Sequence, residues 1–150
     1  MTAEDVALMY MPIWILYWFQ ILFPMNYALK LGVITLVLTV VAKRAGDSTV
    51  SSTKATLKSL CFSVAAEIAG LSVFWIAEMK MNLSFEVYYS HYTTVSVLAL
   101  CAAVILNFLL NRVLNFRDVD LPDTWKTLVP VGISLLTAPV LFLLPSGIYV

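Results

Sequence analysis

The sequence predicts an all-α integral membrane protein, a bundle of five transmembrane helices. Hydrophobic residues make up 61% of the 150 residues, and the mean hydropathy is +0.92. Both values lie far above what a soluble domain can bury in one core. Apolar runs of near membrane-spanning length also fill most of the chain, so no stretch remains for a separate soluble module. We therefore treat residues 1–150 as a single polytopic domain.

Five apolar runs are the candidate spans. They cover residues 6–23, 27–42, 57–77, 92–110 and 128–149. We expect residues 24–26 to break the chain between the first two. The second run is the shortest and contains Lys30, which we expect to extend its ammonium outward to the headgroups. In an alternative arrangement, residues 1–44 form a re-entrant hairpin and four spans remain.

The basic residues predict the orientation of the bundle. The formal net charge is zero, but seven of the nine Lys and Arg residues fall in two loops, at residues 43–58 and 112–126. Since cytoplasmic loops carry the excess of cations, we place both loops in the cytoplasm, at a plasma or inner membrane. Five spans then put the N-terminus inside and the C-terminus outside. The cations expected to contact headgroups or a partner are Lys43, Arg44, Lys54, Arg112 and Arg117.

Two residues are expected to mark helix boundaries beside these loops. Gly46 follows Lys43 and Arg44 and is placed to end the second helix. Asp123 follows Pro122 and is an expected N-cap of the last helix.

Glu67 is the residue most suggestive of function. Counted from Leu57 at 1.5 Å per residue, it lies about 15 Å deep, close to the middle of a bilayer. Membrane-embedded acids usually face a bundle interior or a water-filled cavity and often mark proton or cation pathways. The alternative is a protonated acid that bonds to a neighbouring helix and holds the bundle together.

Small residues surround Glu67 on the third span. Ala66 and Gly70 form a small-xxx-small pair, as do Ser59 and Ser63. Such faces allow close approach of another helix, and residues 101–103 of the fourth span are also small. We expect these two spans to pack against each other or against copies of themselves, and we expect a homo-oligomer. Cys61 and Cys101 lack metal or disulfide spacing and are interpreted as buried thiols.

Three further polar residues are candidates for a role in the bundle. Asn107 and Asn111 lie four residues apart on one helical face, and bonding between helices is the favoured interpretation over a place in a pathway. His91 lies in a tyrosine cluster at the predicted outer boundary. It is interpreted first as part of an aromatic belt, and alternatively as a sensor of external pH.

The residue patterns favour a non-enzymatic protein. We find no Gly-rich phosphate loop, GxSxG or HExxH motif, so we predict no catalytic residues and no cofactor. His91 has no other ligand at metal-binding spacing, which argues against a metal site. The loop cations have no aromatic residues between them, which argues against nucleic-acid binding.

Residues 107–117, with the sequence NFLLNRVLNFR, resemble the sequence pattern that ends membrane helices in the GtrA-like family. That family is associated with movement of polyprenyl-linked sugars across membranes. The resemblance implies a small helical membrane protein, and it implies that Asn107, Asn111 and Arg112 lie at the cytoplasmic lipid-headgroup boundary.

Two functions remain open from the sequence. The favoured one is a non-enzymatic membrane subunit that anchors or senses at the bilayer and docks a soluble cytoplasmic protein through its basic loops. The alternative is a small transporter or channel for a cation, a proton or a lipid-linked sugar, with Glu67 in the pathway.

Overall fold

The computed structural model describes residues 24–81 and 85–139. Their four α-helices are numbered here α1 (Pro24–Ala45), α2 (Thr53–Met81), α3 (Phe85–Leu110) and α4 (Asp123–Leu136). A 3₁₀ turn covers Ser48–Ser51, and a π-helical turn covers Asn111–Asn115. Every regular element in these two ranges is helical, which confirms the all-α prediction for them. The predicted span over residues 6–23 lies outside the described residues.

Three of these helices are long and apolar enough to cross a membrane. The qualifying stretches are Pro24–Ala45, Thr53–Val73 and Thr94–Asn115, with mean hydropathies of 1.8, 1.3 and 2.2. They correspond to the predicted spans over 27–42, 57–77 and 92–110. Helix α4 has 14 residues and is about 21 Å long, which is less than a hydrocarbon core of about 30 Å.

Helix α1 is longer than predicted at its start. Residues 24–26, expected to separate two spans, are instead helical. With 22 residues, α1 is about 33 Å long, a length that suits a full span better than one arm of a re-entrant hairpin.

The last helix starts within one residue of the predicted position, but the predicted continuous helix over 128–149 is interrupted. Helix α4 begins at Asp123, which is its first helical residue and not its N-cap. It ends at Leu136, and Thr137 leaves helical geometry with φ −101° and ψ 8°. Pro139 follows two residues later, where its ring cannot continue a helix. Residues 140–150 of the predicted span lie outside the described residues.

Gly46 ends α1 as predicted. Its φ of +71° lies in the left-handed region, and its N–H donates to the carbonyl of Ala42 at 2.9 Å. The next residue, Asp47, caps the 3₁₀ turn by accepting bonds from the Thr49 N–H at 2.8 Å and the Thr49 hydroxyl at 2.7 Å. These two bonds hold the pKa of the exposed Asp47 carboxyl below its usual value.

Gly46→Ala is expected to destabilise the protein by about 1 kcal/mol, because an L side chain is disfavoured at positive φ. The control is Gly32→Ala in the interior of α1. A Cβ added at Gly32 meets no atom within 4 Å, so alanine there is expected to stabilise by about 0.5–1 kcal/mol. Thermal unfolding of both variants in detergent should therefore shift the melting temperature in opposite directions. A Gly46→Ala variant as stable as wild type would contradict the assigned backbone geometry.

Helices α1, α2 and α3 pack in antiparallel order. Side-chain contacts join Asn26 to Glu67 and Lys30 to Ser63, so α1 and α2 run in opposite directions. Ser59 bonds to Asn111 while Asn115 bonds to the carbonyl of Ala55, which sets the same relation for α2 and α3. The predicted packing of the third span against the fourth is therefore observed, and α4 packs on α1 and α3.

Both basic loops lie at one end of the bundle. A cluster of buried apolar residues joins them, combining α1 and α4 with the 3₁₀ turn and the segment after α3. Its members are Ile34, Leu38, Val41, Val50, Ala55, Phe116, Leu121, Val129 and Ile133. Val50 comes from the first loop, and Phe116 and Leu121 come from the second. We call this the basic end of the bundle.

Many large apolar side chains are exposed and several charged or polar side chains are buried, which is unusual for a soluble protein. Large apolar residues such as Leu29, Leu36, Leu98 and Leu136 are each more than half exposed. Polar residues are buried instead, among them Lys30, Glu67 and three asparagines. Exposed apolar area of this extent favours contact with another apolar phase. Together with three helices of membrane-spanning length and composition, it indicates association with a membrane.

Candidate functional site: a buried polar column

Most of the buried polar side chains fall in two neighbouring groups inside the bundle, which together we call the polar column. It consists of Asn26, Lys30, Ser59, Ser63, Glu67, Asn107, Asn111, Asn115 and Thr137, of which Asn26 is half-buried and the others are buried. One part centres on an ion pair between α1 and α2, and the other on asparagines at the end of α3.

Lys30 and Glu67 form an ion pair between α1 and α2. The ammonium nitrogen lies 2.5 Å from Glu67 Oε1, and the two side chains are 6% and 3% exposed. Lys30 also donates to the Ser63 hydroxyl at 2.9 Å. The second carboxylate oxygen, Oε2, accepts a bond from the Asn26 amide at 3.3 Å. The pair thus has a polar partner on each side and exposes almost no surface.

The expectation that Lys30 extends outward is wrong. In a span with no buried anion in reach, the long lysine stem would carry its charge to the headgroups. Here Glu67 lies opposite Lys30, and the buried carboxylate offers the ammonium a partner inside the bundle. The two opposite charges compensate each other, so the bundle interior carries no net charge at this level.

The ion pair lies far from the basic end. Glu67 is 14 residues from the start of α2 at Thr53, and Lys30 is 15 residues from the end of α1 at Ala45. At 1.5 Å per residue these separations are about 21 Å for Glu67 and about 22 Å for Lys30. Glu67 is at the middle of α2, and Lys30 is about 9 Å from the first residue of α1.

Asparagine side chains form a ladder at the end of α3. The Asn111 amide donates to Asn107 Oδ1 at 2.8 Å, and its own Oδ1 accepts from the Ser59 hydroxyl at 2.6 Å. The Asn115 amide donates to Ser59 at 2.8 Å and to the Ala55 carbonyl at 3.0 Å. Asn107 reaches Thr137, after α4, at 3.1 Å. The ladder therefore ties α2, α3 and the end of α4 together.

The π-helical turn keeps this ladder in line. Four residues of an ideal α-helix rotate slightly beyond one full turn, so residues 107, 111 and 115 would drift around a regular helix. The wider π-helical turn at Asn111–Asn115 contains the Phe116 N–H to Asn111 carbonyl bond of 2.9 Å and counteracts that drift. π-Helical turns occur frequently at functional sites. Asn111 is fully buried and Asn115 nearly so.

Serines on α2 connect the two parts of the column. Ser59 bonds to the asparagine ladder and Ser63 to Lys30, and these serines are one turn apart on the same face. Both are buried. A polar surface thus follows one face of α2 from Ser59 to Glu67.

Small side chains allow α2 and α3 to approach closely near Glu67. Ala66 on α2 and Ala99 and Ala103 on α3 are buried, as is Ser96. The Ser96 hydroxyl has no hydrogen-bond partner among the described residues. The small residues predicted to pack at this contact are therefore used inside the chain, and the predicted homo-oligomer loses that support.

The other predicted site residues fall in three groups. Lys43, Arg44, Lys54 and Arg117 are exposed at the basic end, and Arg112 there is half-buried. Asn107 and Asn111 are buried in the bundle, and their expected place at a headgroup boundary stays a prediction. His91 belongs to α3, but its side chain lies outside the described residues, so pH sensing stays a prediction.

Two thiols are placed differently from the prediction. Cys61 on α2 and Cys101 on α3 are both exposed on the outer surface of the bundle. A thiol behaves as a small apolar group, so these two cysteines join the other apolar residues exposed on this surface.

Several members of the column were not anticipated from the sequence. Asn115 continues the four-residue spacing of Asn107 and Asn111, and this spacing was a signal that could have identified it. Asn26 precedes Lys30 by four residues, on the same face of α1, which was a second signal. Thr137 had none, because it joins the column only through the fold. Within the described residues, no group of three or more His, Cys, Asp or Glu side chains could hold a metal ion.

Comparison with known proteins gives no relative for this chain: it matches no known family, and neither a curated protein nor a solved structure is similar to it. The resemblance of residues 107–117 to the GtrA-like family therefore stays a prediction.

Proposed function

We propose that this protein is a small membrane transporter and that the polar column is the path of a small polar or charged solute. In this proposal α1, α2 and α3 cross the bilayer, and Glu67, Asn107 and Asn111 line the path. The observation that carries it is the buried Lys30–Glu67 ion pair, because ionisable residues inside membrane helices typically mark substrate or ion pathways.

The energetics of burial support this proposal. Removing two charges from water is expensive, and a buried ion pair can often be replaced by apolar residues of similar volume without loss of stability. A bundle that needed only to hold together would be served as well by apolar packing. The ion pair is therefore better explained by a role of the two charges in transport than by stability alone.

The depth of the ion pair also suits a transporter. Glu67 lies 14 residues from each end of α2. If α2 extends equally beyond both sides of a hydrocarbon core of about 30 Å, Glu67 lies near the centre of the membrane. Transporter sites commonly lie near the bilayer midplane. The asparagine ladder then continues the polar surface from this depth towards the basic end.

The test is flux into liposomes that contain the purified protein. The probes are protons, followed with an enclosed pH dye, and radioactive sodium and rubidium ions. We expect wild type to move at least one of these probes, and we expect Glu67→Gln to abolish the movement. The double variant Lys30→Met/Glu67→Gln, which carries no buried charge, should also be inactive although its bundle remains intact. Asp118→Asn is the control, because it neutralises an exposed carboxylate outside the column.

Two results would contradict the proposal. One is a wild-type protein that moves none of the three probes. The other is flux that persists at the wild-type rate in the double variant, since the charges would then play no part in it.

The second candidate function is docking of a soluble cytoplasmic protein at the basic end. The exposed positions of Lys43, Arg44, Lys54 and Arg117 at one end of the bundle favour it. Such a cluster also fits cytoplasmic placement, since cytoplasmic loops are enriched in Lys and Arg. If wild type shows no flux, docking of a soluble protein becomes the favoured function.

A further inference from the structure

We infer that the Lys30 ammonium occupies a site for one monovalent cation, formed by the Glu67 carboxylate and the Ser63 hydroxyl, and that the transported solute is a monovalent cation that displaces it. This inference rests on the proposed function, because it names the solute of the same column.

The contacts of the ammonium are those a small cation would make. Its nitrogen lies 2.5 Å from Glu67 Oε1 and 2.9 Å from the Ser63 hydroxyl oxygen. Both partners are buried oxygen atoms, and oxygen is the ligand type that hard cations prefer. Asn26 holds the other carboxylate oxygen through its amide, so the carboxylate keeps its orientation when the ammonium leaves.

Charge balance sets the valence of the solute. When Lys30 withdraws, the site retains the single negative charge of Glu67. An uncompensated charge is costly in a desolvated interior. One positive charge restores neutrality, whereas a divalent ion would leave one charge in excess. No second carboxylate lies in this part of the column among the described residues.

Lysine is well suited to act as a removable occupant. Its ammonium is a compact charge on a flexible four-carbon stem, so it can leave the carboxylate without movement of the α1 backbone. While Lys30 is in place the site is filled and closed to solutes. A cation that enters must compete with Lys30, and Lys30 must return when the cation leaves. The lysine thereby prevents the empty, charged site from persisting.

The test measures cation binding by thermal unfolding of the full chain in detergent. Lys30→Ala removes the ammonium and leaves the space of its stem. Sodium, potassium and methylammonium chloride are compared with N-methylglucamine chloride at equal ionic strength, in mildly acidic and mildly alkaline buffer. We expect at least one small cation to raise the melting temperature of Lys30→Ala by about 3 °C relative to N-methylglucamine. Wild type should show a clearly smaller shift at the same concentration, because there the cation must first displace the ammonium.

The matched control is Lys30→Ala/Glu67→Gln, which lacks both charges and should not respond to any cation. The inference would be overturned if the melting temperature of Lys30→Ala were the same in every small cation as in N-methylglucamine. It would also be overturned if a small cation raised the melting temperature of the double variant by the same amount. Lys30→Ala that binds no small cation in either buffer would have the same consequence, because Glu67 would then be neutralised by a proton alone.

A second measurement applies if Lys30→Ala does not fold. Lys30→Arg keeps the charge, but a guanidinium holds a carboxylate with two parallel bonds and is harder to displace. The half-saturating cation concentration for flux should rise severalfold in this variant. An unchanged value would overturn the inference. Flux in wild type with no cation effect on the Lys30 variants would refute the competition while leaving the transporter proposal intact. Cation binding to the Lys30 variants without flux in wild type would support the cation site and refute the transporter proposal.

Discussion

Glu67→Gln is expected to lower the free energy of unfolding by about 3–5 kcal/mol. The substitution keeps the shape of the side chain but leaves the Lys30 ammonium buried without its anion, and an unpaired buried charge carries a penalty of this size. The ammonium is surrounded by the bundle, since Lys30 is only 5% exposed, so solvent cannot compensate it. Chemical denaturation of the purified protein in detergent micelles or lipid nanodiscs measures the change.

Lys30→Met/Glu67→Gln should recover most of that loss. With both charges removed, no buried group lacks a counter-charge, and methionine fills the space of the lysine stem. The interaction energy from the double-mutant cycle should therefore be large. The exposed Asp118 provides the control, and Asp118→Asn should change stability by less than about 0.5 kcal/mol. A double variant no more stable than Glu67→Gln would show that the two charges do not interact in the folded protein.

Asn111→Leu is expected to destabilise the protein by about 2 kcal/mol. Asn111 is completely buried, accepts from the Ser59 hydroxyl and donates to Asn107 Oδ1. Leucine has a similar volume but no polar atoms, so both partners lose their bond, and each buried group left unpaired costs about 1–3 kcal/mol. The same denaturation assay gives the value.

The matched control for Asn111→Leu is Ser72→Ala on α2. Ser72 is exposed and bonds only to the Ile68 carbonyl of its own helix, so its loss should have little effect on stability. If Asn111→Leu were no more destabilising than Ser72→Ala, the ladder would not hold the helices together, and Ser59 and Asn107 would have to find other partners.

The helices were largely predictable from hydrophobicity and helix-ending residues. Long apolar runs located α1, α2 and α3, and Gly46 marked the end of α1 because positive φ favours glycine. The end of α4 was less predictable. Proline is tolerated in membrane helices, so the apolar run after Leu136 looked continuous, whereas the chain leaves helical geometry at Thr137.

The site was predictable residue by residue but not as a set. Glu67 was identified because an acid in an apolar run is costly, and Asn107 and Asn111 because of their spacing. The pairing of Lys30 with Glu67 was not identified, since it depends on the register between α1 and α2. Register between antiparallel helices follows from packing of the whole interface, which no local pattern in one helix encodes. Lys30 alone therefore suggested a residue that reaches the headgroups.

The ion pair between α1 and α2 affects how the two helices are inserted during synthesis. A lysine within a membrane helix opposes insertion of that helix, by up to about 2.5–3.5 kcal/mol at the helix centre, and Lys30 leaves the ribosome before Glu67 does. If α1 spans a membrane as proposed, its lysine has no counter-charge during insertion until α2 supplies Glu67. A chain truncated before α2 should leave α1 poorly inserted, so that α2 completes the insertion of α1 as well as the site.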